Sequence, residues 1–475
     1  EMVEMADEES TNEGTPGPNE VTPDDVLEKI RHSSWYLHRI IGICSLAWAI
    51  NAIGIMSSAF YDNKEPNSTK IILSEEFNLT GDRSYLRELP TTAFMIGNVL
   101  GGLFISPISD RFGRRPVLLV CSLGFTTMFI LLSFASNIWT FIVGRALHGL
   151  FYTGTGQSGW VLAFECTPVK MRAGGAFLFG MAWVAGYCGL VPIALVASSW
   201  RSMMLLCSIP GALFFLAVLI FVPESLHYLS SRGRFDEAQR WSKRSEDPLL
   251  QVSTSERHKR TEHTSLLQHL KANKKIIAYM AIISGIWITD AFLYFGLSMA
   301  STNLNDNMYL SYILIGLIEI PAYILTHTIL KRVPRRRAMS STHFASAAAF
   351  VFLIFTVGRE SSWITLCGWV VGKLSISIAY MGIYVMGSEI FPTSVRNSAM
   401  GICGVLSRAG GVFAPYVVTL NRISPILPLT AFALVATFGG LTALLLPETK
   451  DRPLDETVEE QNEREAHEEI LEEIE

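Results

Sequence analysis

The sequence predicts an all-α integral membrane protein, with twelve transmembrane helices in two six-helix bundles. Of its 475 residues, 49% are hydrophobic and only 17% are charged, whereas about 25% of the residues of an ordinary soluble protein are charged. Uncharged apolar runs close to the ~20 residues that cross a bilayer recur along nearly the whole chain. Charged motifs also recur between the two halves of the chain. Together these observations require a lipid solvent and a duplicated architecture.

The predicted spans fill most of the chain and leave little room for a soluble domain. They lie at about residues 37–60, 88–109, 117–135, 139–164, 174–197, 202–222, 275–299, 308–330, 338–357, 362–387, 398–420 and 425–446. The chain then divides into an N-terminal tail (1–36), a first bundle (37–222) with an extracellular loop at 61–87, a linker (223–274), a second bundle (275–446) and an acidic C-terminal tail (447–475).

Lys and Arg in the connecting loops indicate the orientation of the chain. Most of them follow the even-numbered spans, and short cytosolic loops are the ones enriched in these residues. We therefore expect both tails and the linker to be cytosolic. Residues 1–28 carry ten acidic and no basic residues, and no cleavable signal peptide is predicted there. This segment should be a solvated arm.

Two glycosylation sequons support a multi-pass protein of the plasma membrane. Asn67-Ser-Thr69 and Asn78-Leu-Thr80 both lie in the extracellular loop, 61–87. The acceptor pattern Asn-X-Ser/Thr is modified only where a loop is exposed outside the cytosol. We predict that Asn67 and Asn78 are glycosylated.

A half-chain repeat organises the sequence. Glu165-Cys-Thr-Pro-Val-Lys-Met-Arg172 and Glu389-Ile-Phe-Pro-Thr-Ser-Val-Arg396 share their Glu, Pro and Arg, with an offset of 224 residues. Pro223-Glu-Ser225 and Pro447-Glu-Thr449 repeat at the same offset. A duplication of six spans is the design in which two bundles rock about a site near the midplane. The repeat therefore predicts transport by alternating access.

Repeated charges at the cytosolic ends of the spans suit a gate between the bundles. We expect ion pairs between the halves that form in one state and break in the other; the alternative is that such charges only anchor helix ends. The predicted gate residues are Asp110, Arg111, Arg114, Arg115, Glu165, Arg172, Glu224, Glu389, Arg396 and Glu448.

The same motifs resemble a known family. Asp110-Arg-Phe-Gly-Arg-Arg115 is similar to the loop signature of the major facilitator superfamily, whose fold it implies. Ser109 to Pro116, Gly387 to Asn397 and Leu446 to Thr457 resemble the organic cation, organic anion and carnitine transporters, solute carrier family 22. The extracellular loop departs from that family because it is short and contains no cysteine. We expect a functional monomer in the lipid bilayer.

Ionisable side chains inside spans are costly, so each is a candidate for the substrate site. By the resemblance, Asp290 and Glu319 favour a cation, whereas Arg408 stands where anion and carnitine transporters carry Arg. Lys373 is a second possible anion contact, or a partner of Asp290. Aromatic side chains that could line the same site are Tyr187, Tyr294, Tyr380 and Tyr384.

The resulting functional prediction is a transporter of small organic ions, by facilitated diffusion or exchange. Organic anions or carnitine-like zwitterions are preferred, and organic cations are the alternative; a receptor that binds ligand without moving it is a competing class. The sequence contains no nucleotide-binding or catalytic-metal motif. We therefore expect no enzymatic activity, no cofactor, no metal site and no nucleic-acid partner.

Overall fold

The computed structural model describes residues 23–30, 35–63, 68–242, 274–303, 307–357 and 362–450, which fold almost wholly into α-helices. The helices of the first half are α1 (Pro23–Lys29), α2 (Trp35–Met56), α3 (Ser58–Tyr61), α4 (Leu73–Glu76), α5 (Leu89–Phe112), α6 (Arg114–Ser133), α7 (Ile138–Glu165), α8 (Val169–Val196), α9 (Trp200–Phe221), α10 (Leu226–Ser231) and α11 (Phe235–Ser242). Those of the second half are α12 (Lys274–Ala300), α13 (Met308–Leu317), α14 (Glu319–Arg332), α15 (Arg335–Ile354), α16 (Ser362–Ile390), α17 (Thr393–Phe413), α18 (Tyr416–Ile423) and α19 (Ile426–Ala443).

Helices occupy all twelve predicted spans, and two of the spans are interrupted. Within the described ranges, nine helical segments are long and apolar enough to cross a membrane, and α7, α15 and α17 occupy the three remaining predicted spans. The eighth span breaks between α13 and α14, where Pro321 lies in the first turn of α14. The eleventh breaks before α18, where Pro415 is the N-cap. Proline is tolerated at both places because the first N–H groups of a helix have no intrahelical partner.

Small residues let the helices of each bundle approach closely. A Cβ added to Gly97 of α5 would lie 1.8 Å from the carbonyl oxygen of Ala146 in α7. In the second bundle, a Cβ on Gly410 of α17 would lie 2.1 Å from the carbonyl oxygen of Ile288 in α12. Backbone contact of this kind is typical of helix pairs in lipid, where association depends on packing. Each bundle is therefore a tightly packed unit.

The two bundles meet mainly where α5 packs on α17 and where α8 packs on α13 and α14, with a smaller contact between α3 and α12. We call the end of the molecule that carries residues 68–87 the outer end, and the end that carries the repeated charged motifs the inner end. The sequence predicts that the outer end faces the extracellular side. The eighth and eleventh spans thus carry both a helix break and an inter-bundle contact.

The N-terminal arm corrects one prediction. Residues 23–29 form α1, and Val26, Leu27 and Ile30 are buried. This helix packs against α10, so its apolar face covers the polypeptide that follows the first bundle. The sequence predicts a solvated arm because acidic residues dominate 1–28. The overall composition of this segment does not show that the apolar residues of α1 lie on one face. Residues 1–22, most of the linker (243–273) and the tail from 451 lie outside the described residues.

Candidate functional site

The first charged motif forms a network at the inner end of the first bundle. Arg114 Nε lies 3.1 Å from Glu165 Oε2, and its Nη2 lies 3.0 Å from Asp110 Oδ1. The carboxylate of Glu224 accepts from the backbone N–H groups of Arg114 and Arg115, at 3.2 Å each. Burial raises the pKa of the Glu224 carboxyl, and these N–H groups oppose the rise. The negative carboxylate thus caps the positive N-terminus of α6.

The second charged motif repeats this geometry in the second bundle. Arg335 Nη2 lies 3.1 Å from Glu389 Oε1. Glu448 accepts from the backbone N–H groups of Arg335 and Arg336, at 2.6 and 3.1 Å. The same carboxylate therefore caps α15, as Glu224 caps α6.

The remaining gate residues also bind within their own half. Arg172 Nε donates to Thr167 O at 3.3 Å, and Arg396 Nε donates to Phe391 O at 3.1 Å. Arg115 Nε donates to Val222 O at 2.7 Å, and the Arg111 guanidinium lies over the ring of Phe112. The sequence predicts pairs between the halves, whereas these contacts hold helix ends together inside one bundle. The duplicated motif explains this, because each half carries a complete set of partners.

Charged contacts between the halves lie instead at the outer end. Arg422 of α18 approaches two carboxylates of the first half, Asp62 Oδ2 at 3.7 Å and Glu88 Oε1 at 3.5 Å. Thr419 Oγ1 also donates to Glu88 Oε1, at 3.1 Å. Burial raises the pKa of the Asp62 carboxyl, and Ser74 N–H and Arg422 oppose the rise. Sequence reasoning missed this cluster because its members lie in separate segments of the chain and share no motif.

Further contacts close the outer end. Lys70 Nζ donates to Ala194 O at 2.5 Å and to Tyr309 OH at 3.1 Å. Asn63 Nδ2 donates to Thr302 Oγ1 at 3.2 Å. The predicted site residue Tyr187 stacks on Tyr312 across the halves, with ring centroids 4.3 Å apart. It is wholly buried in this contact.

The predicted extracellular loop is folded onto the first bundle. Trp200 Nε1 donates to Glu76 Oε2 at 2.7 Å, and Arg201 Nε donates to Glu76 Oε1 at 2.9 Å. Asn78 is exposed in a left-handed conformation, with φ of 51°. Asn67 lies outside the described residues. Exposure of Asn78 is compatible with the predicted glycosylation, which stays a prediction.

Lys373 and Glu319 form a buried pair in the second bundle. Lys373 Nζ lies 3.2 Å from Glu319 Oε1, and both side chains are at most 1% exposed. Tyr294 OH donates to Glu319 Oε1 at 2.5 Å, and the Lys373 ammonium lies over the Tyr294 ring. Trp183 Nε1 of α8 donates to Tyr294 OH at 2.7 Å. The pair is therefore linked to the first bundle through one tyrosine.

Asp290 has a different partner from the one that the sequence suggests. Its Oδ1 lies 3.0 Å from His343 Nε2, and both side chains are fully buried. The possible Lys373–Asp290 pair is wrong, because Lys373 is held by Glu319. Sequence reasoning missed His343. The available signal was an imidazole inside the ninth span, but the helix register that brings it to Asp290 cannot be read from the sequence.

Arg408 lies at the contact between the bundles. A Cβ on Gly102 of α5 would lie 2.3 Å from Arg408 Nη1, so the guanidinium rests against the first bundle. Tyr380 and Tyr384 of the second bundle lie within its electrostatic reach, as does Tyr152 of the first. Arg408 is half-buried. In the part of the chain that the structure describes, it has no hydrogen-bond or ion-pair partner.

Arg145, a fully buried arginine of α7, binds within the first bundle, although its Nε and Nη2 have no hydrogen-bond partner among the described residues. Its Nη1 donates to Gly54 O at 3.2 Å and lies 3.1 Å from His148 Nδ1. Its guanidinium also lies 4.4 Å from the centre of the Phe94 ring. These contacts indicate a structural role.

Comparison with known proteins identifies the fold and its relatives. Residues 41–415 match the family model of the Major Facilitator Superfamily. A Caenorhabditis elegans protein named as a transporter is 36% identical, over 93% of this chain and 92% of that protein. Solute carrier family 22 member 15 of Xenopus tropicalis is 30% identical, over 82% of this chain and 75% of that protein.

The relatives include a protein named as an organic anion transporter and a protein named as an organic cation transporter. Organic anion transporter 3 of Oryctolagus cuniculus is 29% identical, over 83% of this chain and 75% of that protein. The Organic cation transporter protein of Drosophila melanogaster is 28% identical, over 88% of this chain and 78% of that protein. Among solved structures, the inward-open xylose transporter XylE from E. coli is similar in fold, with a TM-score of 0.67 and 17% identity over 87% of this chain and 96% of that chain.

Proposed function

Since the chain belongs to the Major Facilitator Superfamily and is a transporter of the solute carrier family 22 type, not an enzyme, we propose that it carries small organic anions, or zwitterions that contain an anionic group. One observation carries this proposal. Arg408 is half-buried between the bundles and has no counter-charge among the described residues. An unpaired guanidinium in a site of low dielectric attracts anions strongly.

The other charges inside the spans support the same substrate class. Glu319 is neutralised by Lys373, and Asp290 faces His343. A substrate cation would have to compete with Lys373 for Glu319, whereas a substrate anion meets no such competitor at Arg408. Arg is always charged and its planar fork matches a carboxylate or sulfonate.

Aromatic side chains beside Arg408 can receive the rest of the substrate. Tyr380 and Tyr384 lie 6.1 Å apart, and Trp287 packs edge-on against Tyr384 at 4.7 Å. Aromatic faces bind both apolar rings and quaternary ammonium groups. A zwitterion would place its anionic group on Arg408 and its cationic group among these rings.

The contact geometry supports movement of the substrate by alternating access. Charged and polar contacts join the halves at the outer end, while the charged motifs of the inner end bind within each half. If the two bundles rock so that the outer end and the inner end open alternately, Arg408 is exposed to each side of the membrane in turn. Without a nucleotide-binding motif, transport runs downhill or is coupled to another solute. We further propose a monomer in the plasma membrane, with both termini in the cytosol.

The test is uptake of three one-ring probes that differ only in charge: benzenesulfonate, phenyltrimethylammonium and 3-(trimethylammonio)benzenesulfonate. In cells that express the wild type, we expect uptake of the anion or the zwitterion. Arg408→Asp should lower it about tenfold or more, because a hydrogen bond to a charged group contributes about 1.5–3 kcal/mol. Arg408→Lys is the matched control, since it keeps the charge, and it should retain part of the uptake.

The outcomes separate the competing classes. Unchanged anion uptake by Arg408→Asp at equal surface expression would exclude Arg408 as the anion contact. Uptake of phenyltrimethylammonium alone would favour the organic cation alternative. A wild type that reaches the surface and moves none of the three probes would favour a receptor that binds without transport.

A further inference from the structure

The Asp290–His343 pair is a second charged cluster that the proposed anion site does not use. It joins α12 to α15, with Nε2 and Oδ1 3.0 Å apart and neither side chain exposed. Carboxylates and imidazoles are rare inside membrane spans, and where they occur they commonly mark ion or proton pathways. The pair is therefore a candidate site for an ion or a proton.

The surroundings hold the imidazole in one place. His343 Nδ1 lies 2.8 Å from Met339 O, so this nitrogen carries a hydrogen that it donates to the carbonyl. A Cβ on Gly439 of α19 would lie 2.4 Å from His343 Cδ2, which means that only glycine leaves room for the ring. With Nδ1 engaged, Nε2 is the nitrogen that gains or loses a proton towards Asp290.

Few other charges act on the pair. Within the described ranges, each member is the charged group that acts on the other, and neither α17 nor α19 contributes a further one. From α16, Tyr380 lies within electrostatic reach of Asp290. The second oxygen of Asp290, Oδ2, has no hydrogen-bond partner among the described residues. The pair therefore has a net charge of −1 when the imidazole is neutral and of zero when it holds one proton.

The pair is connected to the proposed anion site. Tyr380 lies within electrostatic reach of both Asp290 and Arg408. Trp287, one helical turn before Asp290 on α12, packs against Tyr384, which also lies near Arg408. Tyr294, one turn after Asp290, binds Trp183 of the first bundle. A charge change at the pair is thus felt where the substrate anion would bind.

We propose that the Asp290–His343 pair is a proton-binding site, and that one proton bound there travels with each organic anion. This inference rests on the proposed function, because it names the coupling partner of the Arg408 site. An imidazole changes its charge near neutral pH. A negative pair in low dielectric repels an anion at Arg408, and a neutral pair does not. By linkage, the anion must then favour the protonated pair to the same extent.

The charges balance and the geometry offers a route for coupling. One monoanion and one proton sum to zero, so the coupled step moves no net charge across the membrane. Helix α12 carries Asp290, and the segment that follows it contacts the first bundle at the outer end through Thr302 and Asn63. Rocking that breaks this contact moves the second bundle, which carries both the pair and Arg408, as one unit against the first. The proton and the substrate are therefore carried by the same motion.

Proteoliposomes that contain the purified full chain test the coupling. With pH 7.5 inside and pH 6.0 outside, one-to-one coupling allows benzenesulfonate to accumulate up to about 30-fold, since 1.5 pH units correspond to 2 kcal/mol. Benzenesulfonate stays anionic over this range, so its own titration cannot cause the effect. Wild-type accumulation should be abolished by collapse of the proton gradient and unchanged by a clamped potassium potential.

Two variants separate proton coupling from substrate binding. Asp290→Asn and His343→Gln should lose accumulation but retain exchange of labelled for unlabelled benzenesulfonate at equal pH. His327→Gln, at an exposed histidine of α14, is the control and should accumulate the probe like the wild type. Accumulation that persists in Asp290→Asn would overturn the coupling. Arg408→Asp, in contrast, should lose exchange as well.

A second measurement needs no substrate. Potentiometric titration of the purified protein in detergent between pH 5 and 8 counts the protons that each variant binds. His343→Gln should bind about one proton fewer than the wild type over this range, and His327→Gln is titrated beside it as the reference. If removal of His343 left the titration curve unchanged, the pair would not be a proton site, whatever the transport results are.

Discussion

The two ends of the molecule use charge in opposite ways. At the inner end, Arg114 with Glu165 and Arg335 with Glu389 bind inside their own bundles. At the outer end, Arg422 of the second half binds Asp62 and Glu88 of the first. The inner contacts repeat between the halves, whereas the outer contacts do not. The ion pairs that hold each bundle together therefore occur in both halves. The cluster of ion pairs that joins the two bundles occurs once in the described part of the chain, and its partners are not related by the repeat.

The difference between the two ends indicates which contacts can break and re-form during a transport cycle. A rocking motion preserves contacts within a bundle and breaks contacts between bundles. The inner networks can therefore persist through a transport cycle, but the Arg422 cluster has to break whenever the outer end opens. Loss of an inner pair should reduce stability, and loss of the outer pair should change the balance between states.

The largest effect is expected from Arg114→Ala. Removal of this guanidinium leaves the partly buried Glu165 without its partner, which we expect to cost about 2 kcal/mol after allowance for solvent screening. Surface expression and the thermal stability of the purified protein should both fall. Arg335→Ala is the matched variant, and the repeat predicts a loss of similar size. Normal stability with abolished transport would instead show that these charges act as the gate that the sequence suggests.

An intermediate effect is expected from Arg422→Ala. Asp62 and Glu88 would then lie close together in a partly buried site without their cation, which disfavours the closed outer end. Thr302 is only 4% exposed in the closed arrangement, so Thr302→Cys reports opening. Its labelling by a membrane-impermeant maleimide should rise severalfold in the double variant relative to Thr302→Cys alone. The wild type, with its seven native cysteines, provides the background, and equal labelling would remove Arg422 from the gate.

The sequence predicts a feature when the residues that form it lie in one motif or repeat, and it does not predict contacts between distant segments. Composition and repeats predict the twelve spans, and the fixed spacing of the repeat singles out Glu224 and Glu448, although as gate residues and not as the helix caps that the structure shows. They do not predict that Asp290 meets His343, since this depends on the rotation of α12 and α15 about their axes. The outer cluster was missed for a related reason: Arg422 and Asp62 lie in separate connections with no shared pattern. For Arg408, the family resemblance identified the position, and only the structure shows that it has no counter-charge among the described residues.

The smallest effect is a pH dependence of the outer end through Asp62. Burial raises the pKa of this carboxyl in the closed arrangement, whereas an open outer end would expose it to water at its ordinary value. A group that binds protons more tightly in one state stabilises that state as pH falls through its raised pKa. Acidic external pH should therefore favour closure, and labelling of Thr302→Cys should fall roughly twofold on acidification, after correction for maleimide reactivity. Asp62→Asn should remove this dependence, and if it did not, another group would be responsible for the titration.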